Sequence, residues 1–167
     1  MSFEKLQHNI IAARDHRQDL LAGHLASGYA ATIVISLNIP GPDKNPPGVQ
    51  GLFSWALNGL GEALPAVLTH CQSDNILGPY GLMLVNLNPA EVKLHCIAVE
   101  TAHPFCRLLD LDVYDATGRQ VDRASLDVPP RTCFVCDLPA VECIRLRRHS
   151  FQEITAKADE FLAHFKA

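Results

Sequence analysis

The amino-acid sequence predicts an α+β fold: a single domain over residues 1–167, built as a mainly antiparallel sheet with flanking helices and a C-terminal helix. Three observations predict it. Apolar stripes at helical spacing stand at both ends of the chain, a β-branched run follows the first of them, and strand-like runs broken by short turn signals fill the middle. The chain is long enough to bury one core. Its content of 48% hydrophobic and 19% charged residues is that of a globular protein.

The first stripe comprises Leu6, Ile10, Ala13, Leu20 and Leu21 and predicts a helix over 3–25, with Ser2 as its N-cap. Arg17 falls inside that stripe and Arg14 lies one turn back. A cation on a core-facing stripe needs an anionic partner, either a bound anion or an internal acid. The β-branched segment 31–39 predicts a buried strand. Residues 40–48, with four prolines and two glycines, form a loop. A helix is expected over 49–68, with Phe53, Leu57, Leu60 and Leu64 on one side and Pro65 as a kink or stop.

Beyond Gly78-Pro79, residues 81–87 and 92–100 read as two strands joined at Asn88-Pro89. A third strand over 107–114 turns at residues 115–118 toward a short return strand over 119–122, completing an antiparallel meander. The tail, 150–165, is an amphipathic helix with Phe151, Ile154, Ala158, Phe161 and Phe165 on its apolar stripe.

Charge and patterning exclude several classes. A net charge of −4 argues against a protein that coats nucleic acid or an anionic membrane. No apolar run is long enough to span a bilayer. Charges at Glu4, Lys5, Arg14, Asp15, Arg17 and Asp19 interrupt any signal-peptide core, so a cytoplasmic protein is expected. In that compartment the six cysteines are thiols, metal ligands or core fillers rather than disulfides.

The most chemical stretch is Asp110-Leu111-Asp112. Side chains alternate in a strand, so the two acids share one face while Leu109, Leu111 and Val113 face the core. Two carboxylates about 7 Å apart on one strand face can chelate a hard divalent cation such as Mg2+. The pattern equally describes a half-exposed strand whose solvent face carries two acids. Glu100, His103 and Arg107 lie within a dozen residues, around a bend at His103-Pro104. Arginine suits bidentate phosphate contact.

These residues carry a resemblance. The segment Glu100-Thr101-Ala102-His103-Pro104-Phe105-Cys106-Arg107-Leu108-Leu109-Asp110-Leu111-Asp112-Val113 is similar to E-x-x-H-P-x-G-R-L-x-D-x-D-V, the signature of the apo-citrate lyase phosphoribosyl-dephospho-CoA transferase family. Pro129-Pro130-Arg131-Thr132-Cys133 with Cys136 resembles its P-P-R-x-C-x-x-C block. Arg14-Asp15-His16-Arg17-Gln18 resembles R-D-x-R-Q, and Pro40-Gly41-Pro42-Asp43-Lys44 resembles P-G-P-x-K. The four blocks stand in order and are spread over about three quarters of the chain. Cys106 stands where the family has glycine, and Leu109 where it often has tryptophan.

The resemblance implies an enzyme that takes 2'-(5''-triphosphoribosyl)-3'-dephospho-CoA and attaches its phosphoribosyl-dephospho-CoA group to a serine of the citrate lyase acyl carrier subunit. Pyrophosphate leaves, as in nucleotidyltransferase chemistry. It implies Asp110 and Asp112 as magnesium ligands and Arg107 as a phosphate contact. Arg14, Arg17, Gln18, Lys44 and Arg131 become substrate contacts, and His103 or Glu100 a base. The carrier supplies the hydroxyl, so the enzyme needs no nucleophile of its own.

Cys133-x2-Cys136-x6-Cys143-x5-His149 is compatible with a tetrahedral structural zinc site, and equally with free thiols packed in the fold. Arg131, Arg145, Arg147, Arg148 and His149 surround it as the most basic patch of an acidic protein, suited to a polyphosphate or an acidic carrier. A non-catalytic zinc-containing module that binds an acidic or phosphorylated partner is the competing reading of the same residues.

Overall fold

The computed structural model describes residues 3–65 and 68–166. Helix α1 (Phe3–Leu25) leads into strand β1 (Ala31–Leu37), followed by α2 (Val49–Ala63) and the hairpin of β2 (Leu68–Asn75) and β3 (Gly78–Val85). Then come α3 (Pro89–Thr101), a 3-10 turn (Pro104–Leu108), β4 (Leu109–Asp115), β5 (Gln120–Val121), α4 (Ala140–Leu146) and α5 (Phe151–Leu162). The five strands run in the order β2-β3-β1-β4-β5, and every neighbouring pair is antiparallel.

The α+β class is as expected, but the strands are not a simple meander. β1 lies at the centre, paired with β3 on one edge and β4 on the other. The helix expected over 49–68 stops at Ala63, and Leu68 already begins β2. Leu64 is extended at φ −119°, as a residue before proline prefers. The Ser2 cap expected for α1 lies outside the described residues.

The main correction concerns 92–100, which is the body of α3 rather than a strand. Asn88 caps the helix by accepting the Ala90 N–H at 2.9 Å, and Pro89 occupies its first turn. Val92, Cys96 and Val99 then fall on one face at helical spacing and are buried. β2 went unread because its residues are mostly polar. Gly78, at φ +85°, turns the hairpin where an added Cβ would stand 2.8 Å from the Lys44 carbonyl oxygen.

The two faces of the sheet are covered unequally. Ile33, Ile35, Met83, Val85, Leu109, Leu111 and Val113 meet apolar residues of α2, α3 and α5 in the main core. On the other face, Val34, Tyr80 and Leu82 pack under Leu21 of α1. The β4 end of that face stays partly open, and Asp110 and Asp112 stand there, neither buried nor fully exposed.

β5 pairs only with Val113 and Tyr114, so the outer edge of β4 is unpartnered by backbone at Leu111. Two side chains of α3 take the place of a strand. The Leu111 N–H donates to Glu100 Oε1 at 3.1 Å, and the Leu111 carbonyl accepts from Lys93 Nζ at 2.6 Å. Both side chains are buried. Replacing Glu100 by alanine strands that N–H and leaves Arg123 without its acid, a loss of about 3 kcal/mol. In urea denaturation Glu100→Ala is therefore expected to lower the midpoint sharply, and an unchanged midpoint would show that this link carries no stability.

Candidate active site

Strand alternation sets the site. Leu109, Leu111 and Val113 are fully buried, which turns Asp110 and Asp112 to the open face. In register with them across β1 are Ser36 and Val34. Upstream, the Asn38 N–H bonds the Leu108 carbonyl at 2.8 Å and fixes where the 3-10 turn feeds into β4. Cys106, fully buried in that turn, does not occupy the left-handed region, so cysteine fits there without backbone strain.

The aspartates open into a cleft of about 710 Å3, whose walls include Lys93, Gln120, Asp122, Arg131 and Ile144. Gln120 Nε2 donates to Asp112 Oδ1 at 2.7 Å. Arg131 Nη1 reaches Asp110 Oδ1 at 3.2 Å, and its Nη2 donates to the Leu109 carbonyl. Burial raises the Asp112 carboxyl above the usual range, and Asp110 raises it further, while Lys93 and the Gln120 hydrogen bond oppose them. Two acids crowded in this way favour a bound cation over two free carboxylates.

Behind the aspartates lies an arginine system. Glu100 accepts from Arg123 Nη2 at 2.7 Å and faces Arg131 Nη2 at 3.3 Å. Arg131 thus spans a buried acid and Asp110. Arg107, Arg123 and Arg131 line a second cleft of about 450 Å3 together with Glu100 and His103. The His103 ring stacks on Phe105, with centroids 5.0 Å apart, and meets Trp55 edge-on.

The structure brings Asp110, Asp112 and Arg131 together and sets Arg107, Glu100 and His103 around the adjoining cleft. The N-terminal cations are elsewhere. Arg17 donates to the Gly78 carbonyl at 2.6 Å and to Asn75 Oδ1 at 3.3 Å, and lies over the Tyr80 ring. Its hydrogen-bond partners are neutral oxygens rather than the expected anion. Tyr80, one residue before the Gly81 that pairs with Ile35, shares its face of the sheet with Val34 and so with Asp110 and Asp112. Only β1 separates β3 from β4 there, a lateral step of about 10 Å in all. Lys44 Nζ donates to the Ile39 carbonyl, and Arg14 and Gln18 are exposed on α1.

Sequence reasoning missed Lys93, Gln120 and Arg123. Lys93 carried a signal, a charge among the buried positions of α3, but a strand over 92–100 gave it no reason to face the acids. Gln120 and Arg123 reach the site only through the β4–β5 turn and the 3-10 segment after it.

Cys133, Cys136, Cys143 and His149 also converge, with their ligand atoms all within 4.8 Å of one another. Cys136 Sγ stands 3.5 Å from Cys143 Sγ and 3.3 Å from His149 Nε2. Thiolates bound tetrahedrally at zinc-like bond lengths lie about 3.8 Å apart, so this Cys3His group can hold such an ion. A tight loop creates it: the Cys133 N–H bonds the Leu138 carbonyl at 2.7 Å, and Val135 N–H points at Cys133 Sγ. Arg147, at φ +47°, reverses the chain after α4 and returns His149. Backbone groups of this segment hold two of the cleft arginines. Arg107 Nη1 donates to the Cys133 carbonyl at 2.6 Å, and the Ala140 N–H to the Arg131 carbonyl at 2.8 Å.

Known proteins match this chain over nearly its whole length. It is 33% identical over 165 residues to a Streptococcus pyogenes serotype M18 protein named "probable apo-citrate lyase phosphoribosyl-dephospho-CoA transferase", covering 94% of this chain and 85% of that one. It is 25% identical over 157 residues to the Citrobacter koseri apo-citrate lyase phosphoribosyl-dephospho-CoA transferase, covering 92% and 86%. The Escherichia coli O139:H28 protein of that name is 25% identical over 158 residues, with the same shares covered. A sequence profile for proteins of this description matches residues 6–165, and the chain belongs to the apo-citrate lyase phosphoribosyl-dephospho-CoA transferase family.

Proposed function

We propose that this protein transfers the phosphoribosyl-dephospho-CoA group from 2'-(5''-triphosphoribosyl)-3'-dephospho-CoA to a serine of the apo citrate lyase acyl carrier subunit, releasing pyrophosphate. Family membership across residues 6–165 carries the reading. The cleft supports it, because it pairs two acids with an arginine. A non-catalytic binding module is not favoured by that membership, and the reaction fits a cytoplasmic enzyme.

In the reaction the carrier's serine oxygen bonds to the phosphorus attached to the ribose. The bond from that phosphorus to the next bridging oxygen breaks, and the two outer phosphates leave as pyrophosphate. The serine proton is lost to water. Asp110 and Asp112 are suited to hold Mg2+, since burial and Asp110 together disfavour the charge of Asp112 and both acids border the cleft. When bound, the ion supplies neutralisation of the polyphosphate and of the departing pyrophosphate. Arg131 can exchange its contact with Asp110 for a phosphate oxygen, and Arg107 adds positive charge from the adjoining cleft. Arg17, Arg14, Gln18 and Lys44 are assigned to more distant parts of the donor.

Glu100 serves better as a positioning residue than as a base, since it is buried and already shared among Leu111, Arg123 and Arg131. His103, packed on aromatic rings, forms a wall of the arginine cleft. The Cys3His group is assigned a structural zinc that fixes the Cys133 carbonyl holding the Arg107 guanidinium, and the backbone of Arg131.

A transfer assay reads the reaction directly, with donor, magnesium and apo carrier subunit followed by intact mass. The carrier should gain the phosphoribosyl-dephospho-CoA mass, and EDTA should abolish the gain. Asp112→Asn should slow transfer by about 100-fold or more. No gain with a competent carrier would sink the assignment.

The raised Asp112 pKa sets a second expectation. Folding favours its protonated form, so the ionised group costs stability at neutral pH, and the cost vanishes as pH falls through the raised value. Without magnesium, Asp112→Asn should therefore be more stable than the unsubstituted protein at pH 7. The gap should close toward pH 3. Equal stability at both pH values would contradict the strained-acid account.

Zinc content is checked by elemental analysis of the purified protein. About one ion per chain is expected, lost in Cys136→Ser with a lower melting temperature. A stable zinc-free protein would overturn the structural assignment.

A further inference from the structure

We propose that α4 and its C-terminal turn are the surface on which the acidic carrier protein docks; this rests on the transferase reading above. The helix has seven residues and buries only Cys143. Val141 is 64% exposed, Ile144 75% and Leu146 53%, so its apolar side chains contribute almost nothing to this protein's own core. A helix so short is not stable by itself. The Cys3His loop and the left-handed Arg147 hold it in place. Apolar side chains kept out of the core on a constrained helix mark a surface meant for a partner.

Charge selects the kind of partner. Arg145, Arg147 and Arg148 occupy three of four consecutive positions in a chain whose net charge is −4. All three are exposed, and the ion pairs among the described residues do not include them. Apolar anchors edged by unpaired guanidinium groups complement an acidic helix with its own apolar residues, rather than a basic partner or a neutral one.

Position selects the role. Ile144 borders the aspartate cleft and also a neighbouring cleft of about 480 Å3 lined by Phe134, Phe151, Ile154 and Arg107. The helix is therefore the ridge between the two. A protein lying along it brings a serine to the rim of the cleft that holds Asp110 and Asp112. The donor can occupy the clefts while the acceptor sits on the ridge.

The test uses Arg145→Glu/Arg148→Glu and Leu146→Ser, positions that line neither cleft. Binding of fluorescently labelled apo citrate lyase carrier subunit is measured without donor, and transfer kinetics are measured with it. Both variants should raise the carrier Kd and KM by about tenfold or more, with donor KM and kcat unchanged. Added salt should weaken carrier binding to the unsubstituted protein and affect the double variant less. Unchanged carrier Kd in both variants would overturn the proposal. So would ultracentrifugation showing self-association that Leu146→Ser abolishes while carrier binding persists, which would assign the ridge to a second copy of the chain. If the unsubstituted protein binds carrier but transfers nothing, the transferase reading fails while the binding data still decide the docking surface.

Discussion

The backbone of Leu111 is the point on which the site depends. On one side it belongs to the β4 ladder with β1. On the other, where β5 has not yet begun, a buried lysine and a buried glutamate from α3 take its two hydrogen bonds. The register of α3 against β4 is thereby fixed to a single residue. Leu111 lies between the two aspartates, so the same contact fixes where they emerge. Burying two charges is expensive unless each is fully partnered. Here Glu100 spends its remaining capacity on Arg123 and Arg131, and Arg131 reaches forward to Asp110. A structural need of the sheet edge and the electrostatics of the cleft are met by one network.

That network explains what could be read from the sequence and what could not. The alternation of Asp110 and Asp112 with three buried apolar residues is a local property of one strand, visible in seven letters. So is the spacing of the Cys3His group, whose members lie within seventeen residues. α1 and α5 were legible because their apolar stripes are long, and α5 also carries a capping box at Ser150 and Glu153. α3 was not, since Val92, Ile97 and Val99 favour strands and the decisive helix signal is a cap at Asn88. With α3 read as a strand, no pattern could place Lys93 beside the acids or turn Glu100 inward. Arg17 was recognised as a cation needing a partner, but the partner is a carbonyl at a hairpin about sixty residues away, beyond the reach of local patterning.

The Cys3His loop has a mechanical part in the arrangement. Residues 123–139 contain little regular structure, yet they carry Arg123 and Arg131 to the site. The Arg107 guanidinium, donating to the Cys133 carbonyl, ties this segment to the turn that precedes β4, and the Ala140 N–H, donating to the Arg131 carbonyl, ties it to the start of α4. A cluster able to hold a metal stands at its end, and an ion bound there would limit the freedom of the loop without requiring an extended core beneath it. The arginines gain fixed positions from a segment that could not fix them by packing.

The central place of β1 bears on how the chain reaches this state. β1 is the earliest strand to emerge during synthesis, but its two neighbours follow at residues 78–85 and 109–115. Its apolar residues must wait for partners made much later, which gives the fold a high proportion of distant pairings and a slow search. A nascent chain ending before β4 has one bare edge on its most hydrophobic strand, an invitation to aggregate. The strand that closes that edge is the one bearing Asp110 and Asp112. Closing that edge therefore also delivers the two aspartates, and a chain too short to place them is also too short to protect itself.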